Sequence, residues 1–165
     1  MDFEKLFQAA RPELYILFQA MVALLLGGII GWEREAAGKW AGLRTHMLVC
    51  LASMMFVRVG QFLIEDSQEL LHAETLRTDP VRIIEAIVTG IAFLGAGTVF
   101  RDPDASKMRG LTTAASLLVI APIGVAISID RYVLAVGITL LALFVLKTMQ
   151  RLEKKLKKIP EHQTE

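Results

Sequence analysis

Cysteine is nearly missing from this 165-residue chain: Cys50 stands alone, which excludes an intrachain disulfide framework. Histidine is almost as scarce. His46, His72 and His162 are scattered, so neither a histidine–cysteine metal centre nor a Ser-His-Asp arrangement finds support. Gly38-Lys39-Trp40 lacks the glycine spacing and the hydroxyl residue of a phosphate loop. A net charge of +1 gives no sign of nucleic-acid binding. The most telling scarcity is local. Five blocks, Leu14–Gly31, His46–Ile64, Ile83–Phe100, Leu111–Ile129 and Tyr132–Leu146, hold 89 residues and only two formal charges, Arg58 and Glu85. The other 33 charges crowd into the remaining 76 residues.

Polarity therefore alternates between blocks, and not at the period of a soluble helix or strand. Each block approaches the length that crosses ~30 Å of hydrocarbon at ~1.5 Å per residue. The expected fold is all-α, a polytopic bundle of five transmembrane helices, with a membrane domain over 1–150 and a basic cytoplasmic tail over 151–165. The first block lacks a small-x-small cleavage site and reads as a retained span. Lysines and arginines number 12 on the side of the first and third connections and the tail, against 5 on the other side. The positive-inside bias then predicts the amino terminus outside and the carboxyl terminus in the cytoplasm. The short Asp130-Arg131 connection is the weak point of that assignment, since a re-entrant pair there would reverse the tail.

Residues 1–13 suit a short interfacial helix. The acidic outer loop, Glu65–Arg82, places Leu70, Leu71 and Leu76 for a surface helix, and Pro80 fits the first turn of the third span. Leu152, Leu156 and Ile159 among lysines predict a tail that prolongs the fifth helix onto an anionic leaflet. No further soluble domain is expected after it. A shift of 68 residues matches seven of twenty positions between 26 and 45, including Leu26-Gly27 with Leu94-Gly95 and Gly42-Leu43 with Gly110-Leu111. Two parallel helix hairpins would produce that repeat, as would two similar turns that attract similar residues.

Small residues recur at four-residue spacing: Ala23, Gly27 and Gly31, Ala86 with Gly90, and Ala92 with Ala96. Such spacing lets helix backbones approach within a bilayer and makes a homo-oligomer plausible. Gly95 and Gly97 serve the same packing or loosen the third span, and Pro122-Ile123-Gly124 predicts a kink in the fourth. A charge inside a span costs several kcal/mol unless paired or hydrated. Arg58 and Glu85 fall at similar depth, so they are expected to meet, with Arg82 competing for Glu85 three residues away. The pair reads as a structural tie or as a proton or cation step. With Asp79 at the outer mouth, Glu85 is also the weak candidate for a metal ligand.

A denser constellation faces the cytoplasm: Glu33, Arg34, Arg44, Thr45, Arg109, Thr112 and Thr113. The second and fourth helices both present their amino termini there, each with an arginine at its mouth, a combination that favours an anion. That anion is Glu33, locking the turns by pairing with Arg44 or Arg109, or a phosphate-bearing ligand or lipid headgroup; the same face could instead receive a partner protein.

These turns carry a family resemblance. Gly31-Trp32-Glu33-Arg34-Glu35, Gly42-Leu43-Arg44-Thr45-His46, Asp79-Pro80-Val81-Arg82, Gly90-Ile91-Ala92-Phe93-Leu94-Gly95-Ala96-Gly97 and Arg109-Gly110-Leu111-Thr112-Thr113-Ala114-Ala115-Ser116 occur in order. Over roughly residues 20–145 the chain resembles the MgtC/SapB family of bacterial inner-membrane proteins, in a short form without the soluble carboxyl-terminal domain of longer members. The resemblance implies a multi-pass inner-membrane protein linked to magnesium limitation, acid stress or survival in a host. Some members are described as magnesium transporters, others as restraining the F-type ATP synthase. The residues suit a non-enzymatic regulator, with Mg2+ as a signal or ligand, better than a pore, because Mg2+ wants six oxygens and the spans offer one carboxylate. A small Mg2+ or proton transporter is the alternative.

Overall fold

The computed structural model describes residues 3–71, 79–101 and 108–156, with side chains for 8, 10–65, 79–100 and 108–149. Five helices dominate it: α1 (Phe3–Ala36), α2 (Leu43–Leu71), α3 (Pro80–Thr98), α4 (Leu111–Ser128) and α5 (Tyr132–Leu156). Each contains a stretch of 18 residues or more that is apolar enough to cross a membrane. The fold is all-α and polytopic. A two-residue antiparallel ribbon, β1 (Phe100–Arg101) with β2 (Met108–Arg109), closes the α3–α4 connection.

Helix α4 is the hub, packing on α1, α2, α3 and α5. Its sequence explains that position: Leu111–Ser128 has no charged residue, and apolar side chains surround it. A helix apolar on every side is one that other helices enclose. Leu117, Ile120, Ile123 and Ile127 are all but fully buried. Gly124 lies where a Cβ would strike the Cys50 carbonyl of α2 and the Ser53 side chain, so α2 and α4 meet there backbone to backbone. Pro122 does not interrupt α4, which runs unbroken across the expected kink.

Gly27 and Gly31 draw α1 onto α2: a Cβ at Gly31 would sit 2.7 Å from Leu43 Cα, and one at Gly27 would sit 2.8 Å from the His46 carbonyl oxygen. The separate interfacial helix expected over residues 1–13 is instead the start of α1, which runs from Phe3 through Pro12 to Ala36. Part of the expected surface helix is likewise the end of α2, which reaches Leu71; Leu76 lies outside the described residues. Asp79 caps α3 by accepting from the Val81 N–H at 2.9 Å, with Pro80 in the first turn. α5 continues past Leu152 to Leu156; Ile159 is outside the described residues.

The two connections of the candidate repeat differ. The α1–α2 link turns on Gly38 at φ 65°. The Gly38 N–H donates to the Glu35 carbonyl and the Lys39 N–H to the Arg34 carbonyl, the paired bonds of a Schellman cap. The α3–α4 link uses the ribbon and Gly110 at φ 90°, where a Cβ would collide with the Thr98 carbonyl. Trp40 joins the two links by an edge contact with Phe100, ring centroids 5.5 Å apart.

Candidate functional site

Polar groups gather at two places, one at each end of the bundle. At the end where α4 passes to α5, Asp130 has φ 61°, the only non-glycine with positive φ among the described residues. Its N–H donates to the Ile127 carbonyl and the Arg131 N–H to the Ala126 carbonyl, so it closes α4 in the manner that Gly38 closes α1. A side chain in that conformation costs about 1 kcal/mol, and here the side chain is used. Asp130 Oδ1 accepts from the Tyr15 hydroxyl at 2.6 Å, from Gln19 Nε2 at 2.8 Å and from the Tyr132 hydroxyl at 3.3 Å. The bond from Tyr15 foremost, then the nearby Arg58 charge and the other bonds, hold its carboxyl below the usual range against the opposing effect of desolvation.

Gln19 is fully buried and every amide group on it is engaged. Its second N–H goes to the Ile127 carbonyl at 2.8 Å, and its Oε1 accepts from Arg58 Nε at 2.7 Å. Arg58 Nη1 reaches Gln61 at 3.2 Å, and Nη2 lies 3.7 Å from Asp130. This corrects the expected Arg58–Glu85 pair. Depth along a span leaves azimuth open, and Arg58 points toward α1 and the α4–α5 turn. Glu85 and Arg82 are exposed on α3, and among the described residues neither makes an ion pair.

At the opposite end, where α1 turns into α2, Glu33 and Arg34 are both buried, with Arg34 1% exposed. Arg34 donates Nε and Nη2 to the two Glu33 oxygens at 2.5 and 2.7 Å. The expected partners of Glu33, Arg44 and Arg109, are thereby replaced by its own neighbour, whose guanidinium matches a carboxylate bidentately. Arg44 and Arg109 are exposed, Thr45 is half-buried in α2, Thr112 is exposed and Thr113 is buried. The anion at the mouth of α2 is Glu35, whose carboxylate accepts from the Leu43 N–H at 2.8 Å. The α4 mouth has Gly110 as its cap and no side-chain bond. His46, fully buried, links two helices: Nδ1 lies 2.9 Å from the Gly42 carbonyl and Nε2 3.1 Å from Ser116 Oγ, which in turn lies 2.8 Å from the Thr113 carbonyl.

The sequence reading missed Gln19, Asp130, Tyr15, Glu35, Ser116 and the partner role of His46. It tallied formal charges, so a neutral amide within a span escaped it. A glutamine inside an apolar block was the available signal. Of the glycines singled out, Gly27 and Gly31 sit against α2 and Gly95 against Ala114, whereas Gly90 and Gly97 have nothing within 4 Å of a Cβ position among the described residues. Asp79 serves as the α3 cap. Among the described residues, no three His, Cys, Asp or Glu side chains gather as a metal site. A groove of about 870 Å³ is lined mostly by apolar residues, Leu24, Gly28, Trp32, Met47 and Leu143 among them, with Glu33 and Lys147; another of about 620 Å³ includes Asp130, Arg131 and Tyr132.

Against this geometry, a model described as the MgtC family matches residues 20–155. The chain belongs to the MgtC family. The Escherichia coli (strain K12) protein named "Putative magnesium transporter YhiD" is 36% identical over 82% of this chain and 61% of its own length. Protein MgtC of Brucella abortus (strain 2308) is 41% identical over 62% of this chain and 38% of its own. Protein MgtC of Salmonella typhimurium (strain 14028s / SGSC 2262) is 37% identical over 78% of this chain and 49% of its own. The chain thus spans about half the length of these curated relatives. No solved structure matches it. Family and helices together make it a multi-pass membrane protein whose relatives bear magnesium-related names.

Proposed function

We propose that this protein is a non-enzymatic regulator in magnesium homeostasis or acid adaptation, seated in the bacterial inner membrane and acting on another membrane complex. One observation carries the reading. The strongly polar side chains drawn into the bundle are tied to one another: Arg34 to Glu33, Arg58 to Gln19, and His46 to Ser116. Such ties fix helices in place, whereas a pathway for Mg2+ needs several oxygen ligands or room for its water. The mostly apolar lining of the larger groove suits acyl chains better than a hydrated ion. With the Gly38 end in the cytoplasm, Lys39, Trp40 and Arg44 form an exposed basic and aromatic surface for a partner, for which the F-type ATP synthase implied by the resemblance is the first candidate. Mg2+ then acts as the signal. Purification in mild detergent from cells at low and high magnesium should recover a membrane complex that Arg44→Glu and Lys39→Glu release. Recovery of none under either condition would end this reading.

The transporter alternative rests on Glu85, a carboxylate within a span that no side chain among the described residues neutralises. Flux of Mg2+ or protons into proteoliposomes that falls with Glu85→Gln would favour it. Flux absent from both proteins would dismiss it.

A further inference from the structure

The outward arcs of α5 and α3 differ in chemistry. On α5 the outward residues are large and apolar: Val133 is 90% exposed, with Leu140, Leu141 and Phe144 each above 60%. That is what a lipid-facing helix presents. On α3 the large aliphatic side chains Ile87 and Ile91 turn inward with Gly95. One outward arc of α3 holds Glu85, Thr89, Ala92 and Ala96, all exposed. At 3.6 residues per turn these four fall within about 60° of arc, with Arg82 flanking them on one side. This arc is small and polar where α5 is bulky, with Phe93 at 81% exposure and Val81 at 54% standing outward beside it. Glu85 is roughly 8 Å along the span from its start at ~1.5 Å per residue, where an ionised group needs a partner or water. Close approach through Thr and Ala is how membrane helices associate.

We infer that this face of α3 is the seam of a homodimer in which a second copy of the chain lies alongside, the two α3 helices parallel about a two-fold axis normal to the membrane. The charges select a second copy as the occupant. Arg82 and Glu85 straddle the centre of the face, separated by about 60° of arc and roughly one turn's rise. A two-fold axis parallel to the helices sets the residue on one flank of the first copy beside the opposite flank of the second. Arg82 of each copy then meets Glu85 of the other, so two ion pairs form and the patch complements itself. Thr89 and Ala96 lie at the centre, where the backbones come nearest. This inference stands apart from the regulatory reading: a dimer can form whether or not it restrains another complex.

Cysteine cross-linking of the full-length protein in native membranes tests the seam. In a Cys50→Ala background, Ala92→Cys and Ala96→Cys should each give a disulfide-linked dimer on mild oxidation, and Val133→Cys on α5 should give none. A dimer from Val133→Cys that equals those from α3, or no dimer from α3, overturns the seam. Charge reversal tests the identity of the partner with intact folds on both sides of the comparison. Arg82→Glu and Glu85→Arg chains each repel their own kind across the axis, but a mixture restores both pairs. Differently tagged copies of the two variants should co-purify several-fold better with each other than either does with itself. Equal recovery in all combinations, or a cross-link from Ala92→Cys only to a protein of different mass, overturns self-association. The cross-linking result holds even where a reversed variant assembles poorly.

Discussion

The helix ends at Gly38 and Asp130 share one backbone pattern, with the same two carbonyls engaged and the same left-handed residue. Among the described residues nothing lies within 4 Å of a Cβ position at Gly38, which serves to turn the chain. Asp130 makes the same turn with a side chain that collects bonds from α1 and α5 and an ion pair with α2. Charge is handled differently too. Near Gly38 the Glu33–Arg34 pair is sequestered, while near Asp130 a half-exposed carboxylate is shared among several donors. The first end is therefore intolerant of losing either ion, and the second degrades by steps.

The largest expected effect is at the sequestered pair. Glu33→Leu leaves the Arg34 guanidinium buried without its counter-ion and should lower stability by about 3 kcal/mol or more, read as a fall in the unfolding midpoint in detergent. An unchanged midpoint would mean that water reaches Arg34. Next comes Arg58→Met, which deprives the buried Gln19 carbonyl of its donor and should cost about 2 kcal/mol. Gln19→Leu in that background also removes the bonds to the Ile127 carbonyl and Asp130 and should cost about 1 kcal/mol more. The turns themselves rank third. Gly38→Ala should cost about 1 kcal/mol through its backbone alone. Asp130→Gly relieves the same strain yet discards the shared acceptor, so a net loss is expected. A gain would show that the network contributes less than the strain.

The smallest effect is the response to acid. Because the Asp130 carboxyl is held low when folded, chiefly by the Tyr15 hydroxyl, its contribution is present above the ordinary carboxylate pKa of about 3.9 and is lost as pH falls through the lower folded value. The wild type should lose more stability than Asp130→Asn between pH 5 and pH 3. Parallel losses would remove Asp130 as the cause.

Five spans were legible because ionised groups are excluded from hydrocarbon, which leaves a one-dimensional record. Pro80 in the first turn of α3 was legible from backbone chemistry alone. What that record omits is rotation about each helix axis. Arg58 sits at a depth compatible with Glu85 and with Gln19, and only the packing of α2 on α1 and α4 decides between them. The short ribbon before α4 was hidden for another reason: it is two residues a side, set among charges that read simply as a connection. Glu35 and Glu33 are two apart in sequence, and choosing which reaches the α2 mouth requires the turn at Gly38 to be in place first.

Ser116 owns one hydrogen and stands between the Thr113 carbonyl, which accepts, and His46 Nε2, which accepts or donates according to the tautomer. The Gly42 carbonyl beyond the ring can only accept. A neutral imidazole that satisfies Gly42 keeps its hydrogen on Nδ1, and the hydroxyl must then swing from Thr113 to Nε2. The tautomer of the ring and the rotamer of the serine are geared together, so α2 and α4 share a two-position latch whose setting is counted in single protons.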